Sequence, residues 1–235
     1  MYMKKIIMII LLIVLLVGCS SKGEQLSDSL KFKEEYESLN DEKNENNGKK
    51  YRTLNIDGDN SFVYKEASDI VDMMDNKETF VVYFGFASCP WCRSIILPLI
   101  KVTNDLEIYR VYYVDVKEIR DTMTIDENGE IIIEKKGTDD YYQLMERLDS
   151  VLENYMLTDQ NGNEVDTGKK RIYAPNIVAV VAGEVKEMTD GISGKQTDAY
   201  MELTSDMVQE SYDKIKCSIE CVADNKKVCS LKTKC

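Results

Sequence analysis

Apolar and polar positions follow strand and helix periods over most of the chain from residue 51 onward. An apolar run at 79–86 predicts a strand, and continuous apolar and aromatic residues at 108–116 predict a central strand covered on both faces. Further strands are predicted at 51–56, 61–64, 177–181 and 184–188, the first two as a hairpin. Helices are predicted at 66–76, 90–105, 138–154 and 197–216. Strands that alternate with helices indicate an α/β fold.

The first residues have the pattern of a secretory signal. Met1–Lys5 carries two positive charges, and Ile6–Val17 is apolar but short for a membrane span. Leu16-Val17-Gly18-Cys19 resembles a lipobox, which implies cleavage after residue 18 and a lipid on Cys19. The alternative is a short uncleaved anchor. Both interpretations predict a protein held on the extracytoplasmic face of the cell membrane.

Residues 19–50 are rich in Ser, Lys, Glu, Asp and Asn, a composition that buries little apolar surface. We therefore expect a lipidated cysteine followed by a flexible tether. Leu30, Phe32, Tyr36 and Leu39 have partial helical spacing, so a short helix that docks on the domain is the alternative. The main domain is expected over 51–216.

Charge and histidine content exclude several functions. The net charge is −12, and removal of residues 1–18 would take away Lys4 and Lys5 and change it to −14. Nucleic-acid binding needs clustered basic residues, so we expect no nucleic-acid partner. The chain has no histidine, which excludes Cys–His and Ser–His–Asp nucleophiles and histidine-ligated metals.

The strongest chemical signal is Cys89-Pro90-Trp91-Cys92, which lies between the strand at 79–86 and the helix that begins at residue 90. A C-x-x-C pair at a strand-to-helix turn indicates a redox pair, although a structural disulfide and a zinc half-site are alternatives. Cys89, at the helix N-terminus, is the expected nucleophile, because unpaired N–H groups there favour a thiolate. Cys92, one turn deeper, is the expected resolving thiol. Pro90 suits the first helical position, and Trp91 offers an aromatic surface to a partner.

The segment F-G-F-x-S-C-P-W-C-R resembles the thioredoxin superfamily, and within it thioredoxin-like lipoproteins of low-GC Gram-positive bacteria similar to bacteriocin-transport accessory proteins. The resemblance covers roughly 51–216 and implies a thioredoxin-like mixed central sheet flanked by helices. Residues 117–172 would then be an insertion before the strand that follows Pro175. We expect that segment to enlarge the core, and the alternative is that it covers the edge of the active site and selects partners.

A second marker of the resemblance is Tyr173-Ala174-Pro175-Asn176, which precedes the apolar run at 177–181. In the superfamily this proline is cis and faces the redox pair, so the resemblance implies that Ala174 and Pro175 bind an extended substrate segment. The alternative is an ordinary trans proline that starts a strand.

The chain departs from the family at Tyr83, six positions before Cys89, where typical thioredoxins have a buried acidic residue. Proton transfer must then use water, a thiol or another carboxylate. Glu66, Asp69 and Asp115 are the candidate carboxylates.

Four cysteines lie in the last nineteen residues: Cys217, Cys221, Cys229 and Cys235. An even number of cysteines in an exported protein favours disulfides. We expect residues 217–235 to form a stapled tail, with Cys217 bonded to Cys235 and Cys221 to Cys229, and the crossed pairing stays open. The alternatives are a four-thiolate zinc site and a relay of electrons to Cys89 and Cys92.

These observations predict a membrane-anchored thiol–disulfide oxidoreductase that acts on cysteines of exported proteins or of a membrane redox partner. Proline after the nucleophile resembles glutaredoxins and oxidising or isomerising extracytoplasmic relatives, and this resemblance favours an oxidase over a reductase. No cofactor and no metal are expected. The alternative function is a non-enzymatic binding or accessory lipoprotein in which the bond between Cys89 and Cys92 is a structural disulfide.

Overall fold

The computed structural model describes residues 26–223, which form a mixed α/β structure with five helices and nine strands. The elements in chain order are α1 (Asp28–Glu37), β1 (Phe62–Tyr64), α2 (Ala67–Asp75), β2 (Phe80–Gly85), α3 (Pro90–Asp105), β3 (Val111–Asp115), β4 (Thr122–Ile125), β5 (Ile131–Lys135), α4 (Asp139–Leu148), β6 (Glu153–Thr158), β7 (Glu164–Arg171), β8 (Asn176–Val181), β9 (Glu184–Thr189) and α5 (Ser205–Ala223). The signal sequence and Cys19 lie outside the described residues.

The central sheet is mixed and has the strand order β1-β3-β2-β8-β9. β1, β3 and β2 run parallel to one another, and β8 is antiparallel to both β2 and β9. Every residue of β2 is buried. A strand covered on both faces carries apolar side chains at successive positions, which explains the unbroken apolar run in the sequence.

Helices cover both faces of this sheet and enclose two apolar cores. Val81 and Tyr83 of β2 face a core that includes side chains of α1, α3 and α5. The alternate residues Phe80, Val82 and Phe84 face a second core with side chains of α2 and α4. Because successive side chains of a strand point to opposite faces, β2 belongs to both cores.

The prediction of a flexible tether over 19–50 is wrong for α1, and the alternative of a docked helix is confirmed. Phe32 and Tyr36 of α1 are fully buried, and the Phe32 ring stacks on Phe62 with 3.8 Å between centroids. The packed structure therefore includes residues well before the predicted boundary at 51. Ser27 caps the helix by accepting a hydrogen bond from the Leu30 N–H.

The predicted hairpin of 51–56 with 61–64 is also wrong. β1 pairs in parallel with β3. Residues 51–56 are not a strand because side chains near the end of α1 take their backbone hydrogen bonds. Asn40 exchanges two hydrogen bonds with the backbone of Leu54, at 2.7 and 2.9 Å, and Glu37 accepts from the Ile56 N–H at 2.6 Å.

The segment 117–172 consists of two hairpins, β4–β5 and β6–β7, with α4 between them. Tyr141, Leu144 and Leu148 of α4 are fully buried in the second core, so this helix enlarges the core as predicted. α4 ends at Leu148, earlier than predicted, because the chain enters β6 at Glu153. β5 is exposed throughout.

The last helix begins later and ends later than predicted, and it contains both Cys217 and Cys221. Residues 217–223 therefore continue α5, which corrects the predicted start of the tail. Cys221 is fully buried in the first core. Both cysteines are disulfide-bonded, so neither offers a free thiolate to a zinc ion. Cys229 and Cys235, and with them the predicted pairing, lie outside the described residues.

Candidate functional site

The C-x-x-C pair lies at the turn from β2 into α3, as the sequence predicts. Cys89 is the N-cap of α3 and has an extended backbone, and Pro90 occupies the first helical turn. The Cys92 N–H donates a hydrogen bond to Cys89 Sγ at 3.1 Å. Cys89 Sγ therefore accepts a hydrogen bond from one of the N–H groups that have no backbone partner at a helix N-terminus.

The two cysteines are free thiols with different surroundings. The exposed fraction of Cys89 is 4%, and that of Cys92 is 0%. Trp91, between them, is half-buried and borders a surface groove. Cys89 thus lies just beneath the surface, and Cys92 lies in the core.

The Ala174–Pro175 peptide bond is cis, so the alternative of a trans proline is wrong. The Cys89 thiol donates a hydrogen bond to the Ala174 carbonyl at 3.3 Å. Pro175 leads directly into β8, which pairs with β2, and this pairing brings residues 85 positions apart into contact. The structure therefore places Ala174 and Pro175 beside Cys89.

A groove of about 650 Å³ extends from this contact. Its walls are Trp91, the segment Tyr173–Asn176, the end of β9 and the loop before α5. Gln196 fixes that loop to α3, since its side-chain amide donates to Ser94 Oγ at 2.9 Å and to the Asp198 carbonyl at 3.3 Å. Gln196 was not predicted from the sequence, because it lies in no recognisable motif.

Behind the pair, two tyrosines lie in the core. Tyr83 and Tyr36 are both fully buried, and their hydroxyl oxygens are 3.0 Å apart. Cys92 is buried in the same core as these two tyrosines. The sequence marked Tyr83 as a departure from the family, but the contact with Tyr36 was missed because α1 was predicted to be a tether.

Burial dominates the acid–base behaviour of this region. Burial raises the pKa of the Cys92 thiol well above its ordinary value, and Cys89 raises it further, whereas Tyr83 and the Phe86 backbone lower it. Burial also raises the pKa values of Tyr36 and Tyr83 well above the ordinary value of a phenol. The low-polarity surroundings favour the neutral form of each group.

The three candidate carboxylates have other partners. Glu66 and Asp69 form the capping box of α2. Asp115 accepts a hydrogen bond from the Lys117 N–H at 2.8 Å, and burial raises the pKa of its carboxyl group. In the described part of the chain, no hydrogen bond joins any of the three to Cys89 or Cys92. The expectation of a proton-accepting carboxylate among them has no support in the geometry.

A cation from the segment 117–172 interacts electrostatically with the two cysteines. Arg120 lies over the Phe86 ring, with 5.0 Å from the guanidinium carbon to the centroid. Burial lowers the pKa of Arg120, nearby Arg171 lowers it further, and Cys89 and Cys92 raise it. Negative charge on the thiols and positive charge on Arg120 therefore stabilise each other. Arg120 was not predicted from the sequence, because it lies outside the C-x-x-C motif.

A second arginine, Arg93, joins the first turn of α3 to the N-terminal segment. It is 1% exposed and donates five hydrogen bonds. The acceptors are the carbonyl oxygens of Tyr36, Arg52 and Ala87 and the side chain of Asn40, at 2.6–3.4 Å. The residue that follows the redox pair thus fixes α1 and residues 40–52 against it.

Among residues 26–223, no helix combines the length and apolar character that a membrane span requires. No group of three or more cysteine, aspartate or glutamate side chains in this range could hold a metal ion.

Comparison with protein-family models gives no match, and a search of curated proteins finds no significantly similar sequence. The resemblance to the thioredoxin superfamily thus stays a prediction from the motif, and the functional argument depends on the site itself.

Proposed function

We propose that this protein is a thiol–disulfide oxidoreductase with a thioredoxin-like fold and that Cys89 and Cys92 are its redox pair. One observation carries the proposal: Cys89 is the N-cap of α3, and its sulfur contacts the Ala174 carbonyl beside a cis proline at the edge of an open groove. The mixed sheet, with β8 antiparallel to β2, supports the thioredoxin-like assignment.

The geometry favours Cys89 as the sulfur that meets the substrate. In the reducing direction, the Cys89 thiolate attacks a substrate disulfide, a mixed disulfide forms, and one substrate sulfur leaves as a thiol. Cys92 then attacks Cys89 Sγ, the Cys89–Cys92 bond forms, and the second substrate sulfur leaves with the proton that Cys92 lost. Two electrons pass from the pair to the substrate. In the oxidising direction each step is reversed, and Cys92 is the leaving group.

The groove supports a polypeptide substrate. Trp91 supplies an aromatic wall, and Ala174 has backbone groups in the bend that leads into β8. A substrate chain that lies along the groove in an extended form would place its cysteine at Cys89. Ala174 and Pro175 are the proposed substrate-binding residues.

The proposed location is the extracytoplasmic face of the cell membrane, with the lipid on Cys19. The substrates are then cysteines of exported proteins or of a membrane redox partner. The preferred direction is oxidation, which the proline after Cys89 suggests by analogy with extracytoplasmic relatives. Acidic charge makes nucleic acid an unsuitable partner.

The decisive experiment is a redox titration of the mature protein with Cys19→Ser. The protein is equilibrated in graded dithiol buffers, and alkylated Cys89 and Cys92 are counted by mass spectrometry. A midpoint near about −120 mV indicates an oxidant, and one near about −270 mV a reductant. Resistance to reduction well below about −300 mV indicates a structural disulfide, and the alternative of a binding lipoprotein would replace the proposal.

A pair of matched variants tests the separate roles of the sulfurs. With a peptide disulfide as substrate, Cys92→Ser should accumulate a mixed disulfide on Cys89, because the resolving thiol is missing. Cys89→Ser should accumulate none, because Cys92 is fully buried. Equal trapping by both variants would contradict the assignment.

A further inference from the structure

The hairpin β4–β5 belongs to the segment 117–172, but it contributes little to the core. Met123 of β4 is the one buried residue of its two strands. The Met123 N–H donates to the Tyr155 hydroxyl of β6 at 3.4 Å, so β4 is the strand that is held against the rest of the domain. β5 pairs with β4 and is exposed at every residue. Burial in the domain core therefore does not explain the composition of β5.

β5 carries three consecutive isoleucines in spite of this exposure. The exposed fractions of Ile131, Ile132 and Ile133 are 39%, 46% and 42%. Because successive side chains of a strand point to opposite faces, both faces of β5 present apolar surface to solvent. Proteins ordinarily protect an edge strand with charged residues or proline, since an exposed apolar edge pairs with a further strand. The centre of β5 has neither form of protection.

The backbone of β5 presents hydrogen-bonding groups along its outer edge. The Asp126 N–H donates to the Glu130 carbonyl at 2.9 Å, so these residues form a hydrogen-bonded pair where the hairpin closes. Hydrogen-bonded and non-hydrogen-bonded pairs alternate along an antiparallel ladder. In the register of the hairpin, Ile131 and Ile133 are then in non-hydrogen-bonded pairs, and their N–H and C=O groups point away from β4. Within residues 26–223, no other strand pairs with this edge.

The order of charges along the strand favours a second copy of β5 as the partner. The charged residues of this region, in chain order, are Asp126, Glu127, Glu130, Glu134, Lys135 and Lys136. Three acids precede the isoleucines, whereas one acid and two lysines follow them. When two copies pair in antiparallel orientation, the acidic beginning of each strand lies near the basic end of the other, and parallel pairing would put like charges together. Among the described residues, neither Glu130 nor Lys136 already forms an ion pair.

We propose that two copies of this protein associate through antiparallel pairing of their β5 strands, so that two β4–β5 hairpins form one four-stranded sheet. A twofold axis relates the copies, and the same strand is used on both sides of the contact. The isoleucines of both copies lose exposed surface, and Glu130 of each copy lies near Lys136 of the other. A contact between two hairpins is small, so we expect a Kd of about 10–100 µM. This inference goes beyond the proposed redox function and does not depend on it.

Sedimentation equilibrium of the mature chain with Cys19→Ser, from about 1 to about 300 µM, tests the association. The weight-average mass should rise from that of a monomer towards that of a dimer. Ile133→Lys should raise Kd at least about tenfold, because it places a charge at the centre of the contact. Leu97→Lys is the matched control: Leu97 is 43% exposed on α3, and the charge of the chain changes by the same amount. Its Kd should stay within about twofold of the wild type.

Charge reversal tests the antiparallel orientation. Glu130→Lys and Lys136→Glu should each raise Kd about three- to tenfold, because each variant places like charges together at both ends of the contact. The double variant exchanges the two charges and should return Kd to within about twofold of the wild type.

Amide hydrogen exchange locates the contact without any substitution. Exchange in β5 should slow as the protein concentration rises through Kd, because the outward N–H groups become bonded, and exchange in β6 should not change. A wild-type protein that stays monomeric, a dimer that Ile133→Lys leaves intact, or a double charge variant as weak as the single ones would overturn the inference. A monomer that binds phosphatidylglycerol vesicles through Ile133 would assign β5 to a lipid surface and overturn it as well. The redox titration has its own readout, so none of these results bears on the proposed function.

Discussion

Cys89 and Cys92 are three residues apart, yet their sulfur atoms lie in opposite surroundings. The Cys89 side contains the Ala174 carbonyl, the groove and the Arg120 cation. The Cys92 side contains Tyr83 and Tyr36 in the first core. We refer to these two regions as the open side and the closed side of the pair.

The two surroundings match the different requirements of the two sulfur atoms in the proposed exchange reaction. A sulfur that reacts with another protein must be reachable, and water or a mobile cation can stabilise its charge. A sulfur that reacts only with its neighbour can be buried, but fixed hydrogen bonds must then replace water. The closed side is therefore the better packed and more sensitive of the two regions, and three predictions test this comparison.

The largest expected effect is on the closed side. Arg93→Met should lower the free energy of unfolding by at least about 3 kcal/mol, because several buried carbonyl groups lose their donor. The packing of α1 depends on these bonds, so hydrogen exchange in Asp28–Glu37 should rise with the loss of stability. Urea denaturation and amide exchange measure the two effects.

The matched control is Arg110→Met, because Arg110 is exposed. It should change the free energy of unfolding by less than about 0.5 kcal/mol. Similar losses in the two variants would show that Arg93 does not hold the closed side together.

The second prediction concerns pH and the redox state. The folded-state pKa of Cys92 is raised, so the stability that the neutral thiol contributes is complete below the unfolded pKa of about 8.5. It is lost as pH rises from there towards the folded pKa, at up to about 1.4 kcal/mol per pH unit. Urea midpoints of the reduced protein should therefore fall between about pH 8.5 and 10.

The oxidised protein is the internal control, since Cys92 then has no proton to lose. Its urea midpoint should change less over the same pH range. Parallel curves for the two redox states would contradict the assignment of a strongly desolvated thiol to Cys92.

The smallest effect is expected on the open side. Arg120→Met should slow the attack of Cys89 on a disulfide about two- to fivefold, because a partly buried cation stabilises the thiolate only modestly. The effect should shrink as salt is added, since screening weakens charge interactions that reach solvent. Single-turnover rates at low and high ionic strength measure both.

Arg147→Met is the control for net charge, because Arg147 forms an exposed ion pair with Asp75 at 2.8 Å. It should leave the rate within about 1.5-fold of the wild type. Equal slowing by both variants would show that overall charge, and not the position of Arg120, governs the attack.

Local pattern predicted the parts of the site that are close in sequence. The run at 79–86 is β2 within a residue or two, and the helix at 90–105 has the predicted limits. Cys89 at the helix N-terminus follows directly from that pair of elements. These predictions succeed because strand burial and helix capping depend on neighbouring residues.

The predictions that failed needed distant partners. The polar composition of residues 19–50 favoured a tether over the docked helix α1. Only Phe32 and Tyr36, on one face of that helix, are deeply buried. The segment 51–56 has an extended pattern, but Asn40 and Glu37 take the backbone bonds that a hairpin partner would need. The local pattern predicts a candidate strand, but it does not show which distant side chains compete for its backbone hydrogen bonds.

The sequence by itself predicted the chemistry from a C-x-x-C pair between strand and helix, the absence of histidine, and a tyrosine where an acid is usual in the family it resembles. Only the tertiary structure decided the surroundings of that pair. The contact of Ala174 with Cys89, the reach of Arg120 and the contact between Tyr83 and Tyr36 join residues 31–85 positions apart. Such contacts form when burial of apolar faces brings remote segments together. The periodicity of apolar residues predicts each element separately, but it does not predict which elements pair.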